Sequence, residues 1–268
     1  AWVASHGTLL FTDIPRSRIM AWREGRLEAW LEGARFAIGL ALGRDGRLLA
    51  CEHGARAVSA IEVRADGLPG TREVVAGSAG GRLLNSTNDV VAARDGSVLF
   101  TDPPYGVREE DGALVGYSQA MEQPHCGVWR ATRDPTAPEL LSGEVHRPNG
   151  LCLSPDERTL YVSDSSERFR KVVAFDVGAG WRLSGPRDLA VMPVGVPDGM
   201  RVDEGGNLWV GGGDGVHVWS PEGRPLAHVP VPEMVTNLEW GGEDGRDLFV
   251  TAVSSLYRVR TAVRSGRA

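Results

Sequence analysis

The chain has 268 residues, of which 42% are hydrophobic and 24% charged, values typical of a globular domain rather than of a disordered chain or a coiled coil. No run of 18 apolar residues occurs, so no transmembrane helix is predicted. The net charge of −6 argues against nucleic acid or an anionic membrane as partner, and the 35 glycines and 16 prolines indicate many tight turns.

Six apolar triplets, each preceded by a turn with Gly or Asp, recur along the chain. Their central residues lie 39 to 62 residues apart. A period of about 40 to 50 residues with several short strands per repeat is typical of a β-propeller. The sequence therefore predicts an all-β, six-bladed β-propeller as a single domain over residues 1–268. The central residues are Leu10, Leu49, Leu99, Tyr161, Trp209 and Phe249.

A second repeated element precedes five of the triplets and is predicted to form the innermost strand of each blade. The first residues of these strands are expected to gather at one mouth of the central channel. Amide and carboxylate oxygens that converge in this way suit a hard divalent cation. Because Asn and Asp are also common at turns and strand entries, a structural role is the alternative for each. The superposed positions are Ile38, Asn88, Asn149, Asp198 and Asn237.

The first blade is expected to be incomplete in this sequence. Its inner strand begins inside the repeat at Ala1, so its residue at the channel mouth lies upstream of the chain. A second repetition concerns Asp13, Asp102 and Asp164, which follow their triplets at equivalent places. Repetition from blade to blade favours a hydrogen bond that stabilises the blade over a role in catalysis.

The chain resembles the bacterial lactonase branch of the senescence-marker-protein/gluconolactonase/luciferin-regenerating family over almost its whole length. The similar segments include LLNSTNDVV, LFTDPPYGV, RPNGLCLSPDERTLYVSDS and GVPDGMRVDEGGNLWV. The resemblance implies a six-bladed propeller with one divalent cation at the channel mouth, usually Ca²⁺, with Zn²⁺, Mn²⁺ or Mg²⁺ as alternatives. By motif, Asn149 stands at the family's PNG, Asp198 at its PDG and Asn88 at its NDV. These three residues are the expected metal ligands, and Asn88 is also an expected substrate ligand.

Two departures from the family pattern bear on this site. The family's Glu ligand, from an EGPxW motif, has no counterpart, because Ala1 and Trp2 match only the end of that motif. Ile38 stands where many relatives have Asn. Loss of a charged ligand would lower the affinity for the cation.

The resemblance and the site chemistry together predict hydrolysis of a gluconolactone-like sugar lactone to the aldonic acid. The cation would polarise the lactone carbonyl, and Asp198, the only carboxylate among the mouth positions, would take a proton from the attacking water. A variant in which Asp198 only orients that water stays open. Additional residues expected to bind the substrate are Tyr105, His53, His125 and Asn237.

Two other functions stay open at this point. A related hydrolase with the same site could act on aryl esters or organophosphates, and a propeller without catalytic activity could serve as a binding scaffold. The expected partner is a small-molecule lactone, and the sequence does not predict an oligomeric state. No signal peptide opens the chain, but Ala1 begins partway through a repeat, so the location stays open, with a cytoplasmic one favoured over a periplasmic one.

Overall fold

The computed structural model describes residues 1–107 and 120–266. Within these ranges the only helices are two short 3-10 helices, Ala4–His6 and Ala179–Trp181. The remaining regular structure consists of strands, and the chain folds as a six-bladed β-propeller, as predicted. None of the helices in the described part of the chain is long and apolar enough to cross a membrane.

The first compact unit, Ala1–Glu144, contains three blades, each an antiparallel four-stranded sheet whose strands follow chain order. A two-stranded hairpin, β9 and β10, precedes the third blade. The strands are β1 (Trp2–Val3), β2 (Thr8–Asp13), β3 (Arg18–Arg23), β4 (Arg26–Leu31), β5 (Ala37–Leu42), β6 (Leu48–Glu52), β7 (Ala57–Val63), β8 (Pro69–Ala76), β9 (Ser78–Ala79), β10 (Arg82–Leu83), β11 (Val90–Ala92), β12 (Val98–Asp102), β13 (Gly127–Arg130) and β14 (Glu139–Ser142).

The second compact unit, Val145–Ala268, contains two four-stranded blades and a blade with three strands among its described residues. These sheets are also antiparallel and follow chain order. The strands are β15 (Pro148–Leu153), β16 (Thr159–Asp164), β17 (Lys171–Val177), β18 (Leu183–Val191), β19 (Met200–Val202), β20 (Leu208–Gly212), β21 (Gly215–Trp219), β22 (Pro225–Pro230), β23 (Val235–Gly241), β24 (Asp247–Ala252) and β25 (Leu256–Arg260).

The hydrophobic core of each unit lies between successive blades. In the first unit, Leu10 of β2 packs in one cluster with Leu40 and Leu48 of the next blade. In the second unit, Cys152 of β15 shares a cluster with Met200 of β19. Burying a large apolar side chain contributes about 1.5–3 kcal/mol. Apolar residues on both faces of the middle strands therefore hold neighbouring blades together.

The six predicted triplets all lie on the second strands of the blades. The inner strand of the first blade, β1, spans only Trp2–Val3. Because the chain divides into two compact units, the assignment of residues 1–268 to one domain stays a prediction.

Candidate active site

The structure brings Asn149 and Asp198 onto neighbouring inner strands of the second unit. Asn149 lies in β15, Asp198 comes two residues before β19, and both are half-buried. A Cβ atom at Gly150 would lie 2.4 Å from the backbone oxygen of Asp198, so the two backbones approach more closely than any side chain at Gly150 would allow. This approach places one amide and one carboxylate at adjacent strand starts.

A serine hydroxyl links these two strands. The Oγ atom of Ser163, on β16, lies 2.9 Å from the backbone oxygen of Asp198 and 3.2 Å from that of Gly150. Ser165 donates a further hydrogen bond to the backbone oxygen of Pro197. Ser163 is fully buried, so water does not compete for these contacts. The backbone around Asp198 is therefore held from the strand next to it.

The strand register corrects one predicted position. In the last blade Leu238 pairs with Val250, whereas in the fifth blade Met200 pairs with Val210 and Asp198 lies two residues before Met200. The residue two before Leu238 is Thr236, not Asn237. Backbone bonding agrees, because Gly199 N donates to Thr236 O at 2.9 Å. The β23–β24 hairpin has one more residue pair, Gly241 with Asp247, than the β19–β20 hairpin, and this longer hairpin moves the mouth position farther from the apolar triplet.

Asn237 therefore lies one residue beyond the mouth position. Its Oδ1 accepts a hydrogen bond from Leu238 N at 2.9 Å. A Cβ at Gly199 would lie 2.3 Å from the Cγ and Oδ1 of Asn237, so this side chain covers the residue that follows Asp198. Its predicted role in substrate binding stays a prediction.

Asn88 belongs to the first compact unit, whereas Asn149 and Asp198 belong to the second. It is 5% exposed, and its backbone N donates to Thr101 O at 2.9 Å. Its backbone O accepts from Gly39 N at 2.8 Å, which places it against the predicted mouth position Ile38 of the preceding blade. This bond places the residue after Ile38 against Asn88, while a shared metal site of Asn88 with Asn149 and Asp198 stays a prediction.

Two of the three recurring aspartates stabilise the approach to the inner strands, whereas Asp13 pairs with arginines of its own blade. Asp102 is fully buried and accepts hydrogen bonds from the backbone N atoms of Asn85 and Ser86, both at 2.8 Å. Burial raises the pKa of Asp102 to about 7, against the lowering effect of these two bonds. Asp164 accepts in the same way from the backbone N atoms of residues 146–147, both at 3.2 Å.

Tyr105 and His53 lie near the segment that leads to Asn88. Ser86 Oγ donates to Pro103 O at 2.6 Å and accepts from Gly106 N at 2.9 Å, so the loop around Tyr105 is tied to that segment. A Cβ at Gly106 would lie 2.9 Å from the ring atoms Cγ and Nδ1 of His53. His53 is 2% exposed and Tyr105 is half-buried. The structure therefore groups these two predicted residues in the first unit, and their contact with substrate stays a prediction.

His125 contacts the same segment through its backbone. It is exposed, and its backbone O accepts a hydrogen bond from Asn85 Nδ2 at 3.1 Å. The contact that ties His125 to this segment therefore involves its main chain, and a role of the imidazole in substrate binding stays a prediction.

A row of hydroxyl groups on the second strands was not among the predicted site residues. Each follows the central residue of its triplet by two positions and bonds to backbone atoms of an inner strand. This recurrence is visible in the sequence and could have identified the row. The bonds join Thr12 Oγ1 to Ile38 O, Thr101 Oγ1 to Asp89 N, Ser163 Oγ to Gly150 O and Thr251 Oγ1 to Asn237 O.

A buried arginine was also missed. Arg56 is 5% exposed, donates from Nε to Leu84 O at 2.5 Å, and pairs through NH1 with Glu122 at 2.9 Å. Glu122 in turn accepts from Leu83 N at 2.9 Å. These contacts join residues up to 66 positions apart, so no local pattern signals them.

Comparisons with known proteins agree with this architecture. Residues 1–254 match the SMP-30/Gluconolactonase/LRE-like region family. The gluconolactonase of Zymomonas mobilis subsp. mobilis is 29% identical, with 97% of this chain and 77% of that protein covered. A solved gluconolactonase structure from Xanthomonas campestris is 36% identical with a TM-score of 0.87, covering 97% of this chain and 84% of that one. Regucalcin of Danio rerio is 36% identical over 41% of this chain and 39% of its own length.

Proposed function

Because the chain belongs to the SMP-30/Gluconolactonase/LRE-like family, we propose that it opens a gluconolactone-like sugar lactone to the corresponding aldonic acid. It is a lactonase, a hydrolase of cyclic carboxylic esters. The observation that supports the proposed site is the close approach of the backbones that carry Asn149 and Asp198, one with an amide and one with a carboxylate side chain. The proposed partner is the small-molecule lactone.

The donors proposed for a divalent cation are the amide oxygens of Asn88 and Asn149 and the carboxylate of Asp198. All are oxygens, which fits a hard cation, and we propose Ca²⁺, with Zn²⁺, Mn²⁺ and Mg²⁺ as the alternatives to test. Regucalcin, described as calcium-binding in its Agrobacterium tumefaciens form, is among the relatives and supports this choice. When bound, such a cation supplies Lewis-acid polarisation of the lactone carbonyl.

Asp198 is the proposed general base. It is the only carboxylate at the inner-strand starts that the register aligns, which are Ile38, Asn88, Asn149, Asp198 and Thr236. The water oxygen bonds to the carbonyl carbon while Asp198 takes one of its protons. The bond from that carbon to the ring oxygen then breaks, and the ring oxygen receives a proton to become the hydroxyl of the open acid. Ser163 holds the Asp198 backbone for this step.

The remaining predicted residues are proposed to bind the sugar. The grouping of Tyr105, His53 and Asn88 around Ser86 supports one substrate-contact region in the first unit. Asn237 covers Gly199 and is proposed to offer its amide Nδ2 to a sugar hydroxyl. His125 completes the proposed set from an exposed position.

The test is hydrolysis of glucono-1,5-lactone, followed by pH-stat above the spontaneous rate. We expect activity to be lost after chelator treatment and restored by one added cation, which then identifies the metal. Asp198→Asn should lower kcat by about 10²–10⁴-fold, the usual contribution of a general base. The matched control is Asp188→Asn, an exposed aspartate paired with Lys171.

We expect the control variant to keep the wild-type rate. Circular dichroism should show the same strand content in both variants, so that a loss of rate reports on chemistry. Wild-type turnover by Asp198→Asn would show that another group is the base. Full activity after exhaustive chelation would show that the reaction needs no cation.

A further inference from the structure

Three side chains of types that bind metals lie together on the fifth blade. Asp214 sits in the turn between β20 and β21, His217 is on β21, and His228 is directly opposite it on β22. Their ligand atoms all lie within 4.8 Å of one another. Among residues 1–107 and 120–266 this is the only such group of three His, Cys, Asp or Glu, and it contains none of the residues proposed for the lactonase site.

The distances in this cluster are close to those of a tetrahedral metal site. His217 Nε2 lies 2.8 Å from Asp214 Oδ1, and His228 Nε2 lies 3.7 Å from Asp214 Oδ2. The two imidazole rings stack with centroids 4.3 Å apart. Metal–nitrogen bonds of about 2.0–2.1 Å in a tetrahedral zinc site separate ligand atoms by about 3.3 Å. Small side-chain movements are therefore sufficient to place all three ligands around one ion.

The backbone makes room for these ligands. Gly215, next to Asp214, has φ +141°, and a Cβ there would lie 2.9 Å from His228 Nε2 and 2.2 Å from Val229 O. Any other residue would displace His228 from the cluster. His217 is 8% exposed and stacks on Trp219 at 5.5 Å, so its ring is held in place. Asp214 and His228 are more exposed, which gives an ion a route in from solvent.

We propose that Asp214, His217 and His228 form a second metal site, selective for a transition-metal divalent cation such as Zn²⁺. Imidazole nitrogen suits Zn²⁺, Cu²⁺ and Ni²⁺, whereas Ca²⁺ prefers sites made of oxygens. Three protein ligands leave the fourth position to water. The ion would join the β20–β21 turn to β22 and so stabilise this blade. The proposal is independent of the lactonase function.

The test is calorimetric titration of tag-free protein with ZnCl₂ at pH 7.5, with excess Ca²⁺ present to occupy the oxygen-donor site. We expect one Zn²⁺ to bind per chain. His228→Asn, at an exposed position, should weaken this binding at least tenfold, and His6→Asn, at a half-buried histidine outside the cluster, should leave it unchanged. Binding should also weaken at pH 5.5, because both imidazoles must be unprotonated to bind a metal.

A second measurement, thermal denaturation, distinguishes loss of a metal ligand from misfolding of the variant. Zn²⁺ at 100 times its Kd should raise the melting temperature of the wild type and of His6→Asn, but not that of His228→Asn. Absence of Zn²⁺ binding in the presence of Ca²⁺ would overturn the proposal. So would His228→Asn binding Zn²⁺ with wild-type affinity.

Discussion

At the scale of single residues, Asp102 illustrates how a buried carboxyl serves the fold rather than the chemistry. It accepts two backbone hydrogen bonds from the segment that leads to Asn88, and it is fully buried. Desolvation disfavours its charged form more than those two bonds favour it, so its pKa rises to about 7. The charge of the Asp102 carboxyl, which holds the segment that leads to Asn88, therefore depends on pH.

The raised pKa of Asp102 predicts a pH-dependent stability. An unfolded aspartate has a pKa of about 3.9, so the stabilising effect of the raised pKa is fully present below pH 4 and is lost as the pH rises to 7. With about 1.4 kcal/mol per pKa unit, the difference in unfolding free energy between wild type and Asp102→Asn should fall by up to about 4 kcal/mol from pH 4 to pH 7. Urea unfolding at pH 4, 5.5 and 7 measures this difference.

Asp188→Asn is the control for this measurement, because its carboxylate is exposed. This variant should follow the pH dependence of the wild type. If Asp102→Asn also follows it, then Asp102 is charged in the folded protein throughout this range.

At the scale of elements, the strands were predictable because the apolar triplets are buried on both faces and so show no polar alternation. The repeat then placed Asn149 and Asp198 at equivalent strand starts. The longer β23–β24 hairpin was not predictable from the repeat, because hairpin length varies from blade to blade, and it shifted the mouth position from Asn237 to Thr236. The contacts of Arg56 also escaped prediction, since they depend on which distant loops meet.

The pairing of inner strands makes a prediction about Gly150. A Cβ there would meet the backbone oxygen of Asp198 at 2.4 Å, so Gly150→Ala must push two strands apart. We expect a loss of about 1–3 kcal/mol of stability, as in overpacked cores, and a lower kcat because Asn149 and Asp198 separate. Lactone hydrolysis and urea unfolding measure the two effects.

Gly178→Ala is the matched control, because a Cβ at that position would lie 3.4 Å from its nearest neighbour, an ordinary contact. It should keep both wild-type stability and wild-type kcat. Unchanged kcat in Gly150→Ala would mean that the approach of these strands has no part in catalysis.

At the scale of the whole molecule, each unit repeats one blade design, and backbone hydrogen bonds join segments that are far apart in the sequence. The last described residues return from the sixth blade to the fifth. Ser265 forms an antiparallel bridge with Asp203, Gly266 N donates to Val202 O at 2.8 Å, and Glu204 N donates to the backbone of Arg264 at 2.9 Å. Residues 264–266 therefore connect the sixth blade to the fifth within the second unit.

Removal of this connection should lower the free energy of unfolding without changing the rate of lactone hydrolysis. Deletion of residues 264–268 takes away two backbone hydrogen bonds to the fifth blade and the Arg264–Glu204 ion pair at 2.8 Å. At about 0.5–1.5 kcal/mol per net hydrogen bond, and little for the exposed ion pair, we expect a loss of about 1–3 kcal/mol. For a chain of this length, each kcal/mol corresponds to about 2–4 °C in Tm. Arg264→Ala, which removes only the exposed ion pair, is the control and should leave Tm almost unchanged. An unchanged Tm after the deletion would show that the sixth blade is held by its packing against the fifth through Val216 and Leu238.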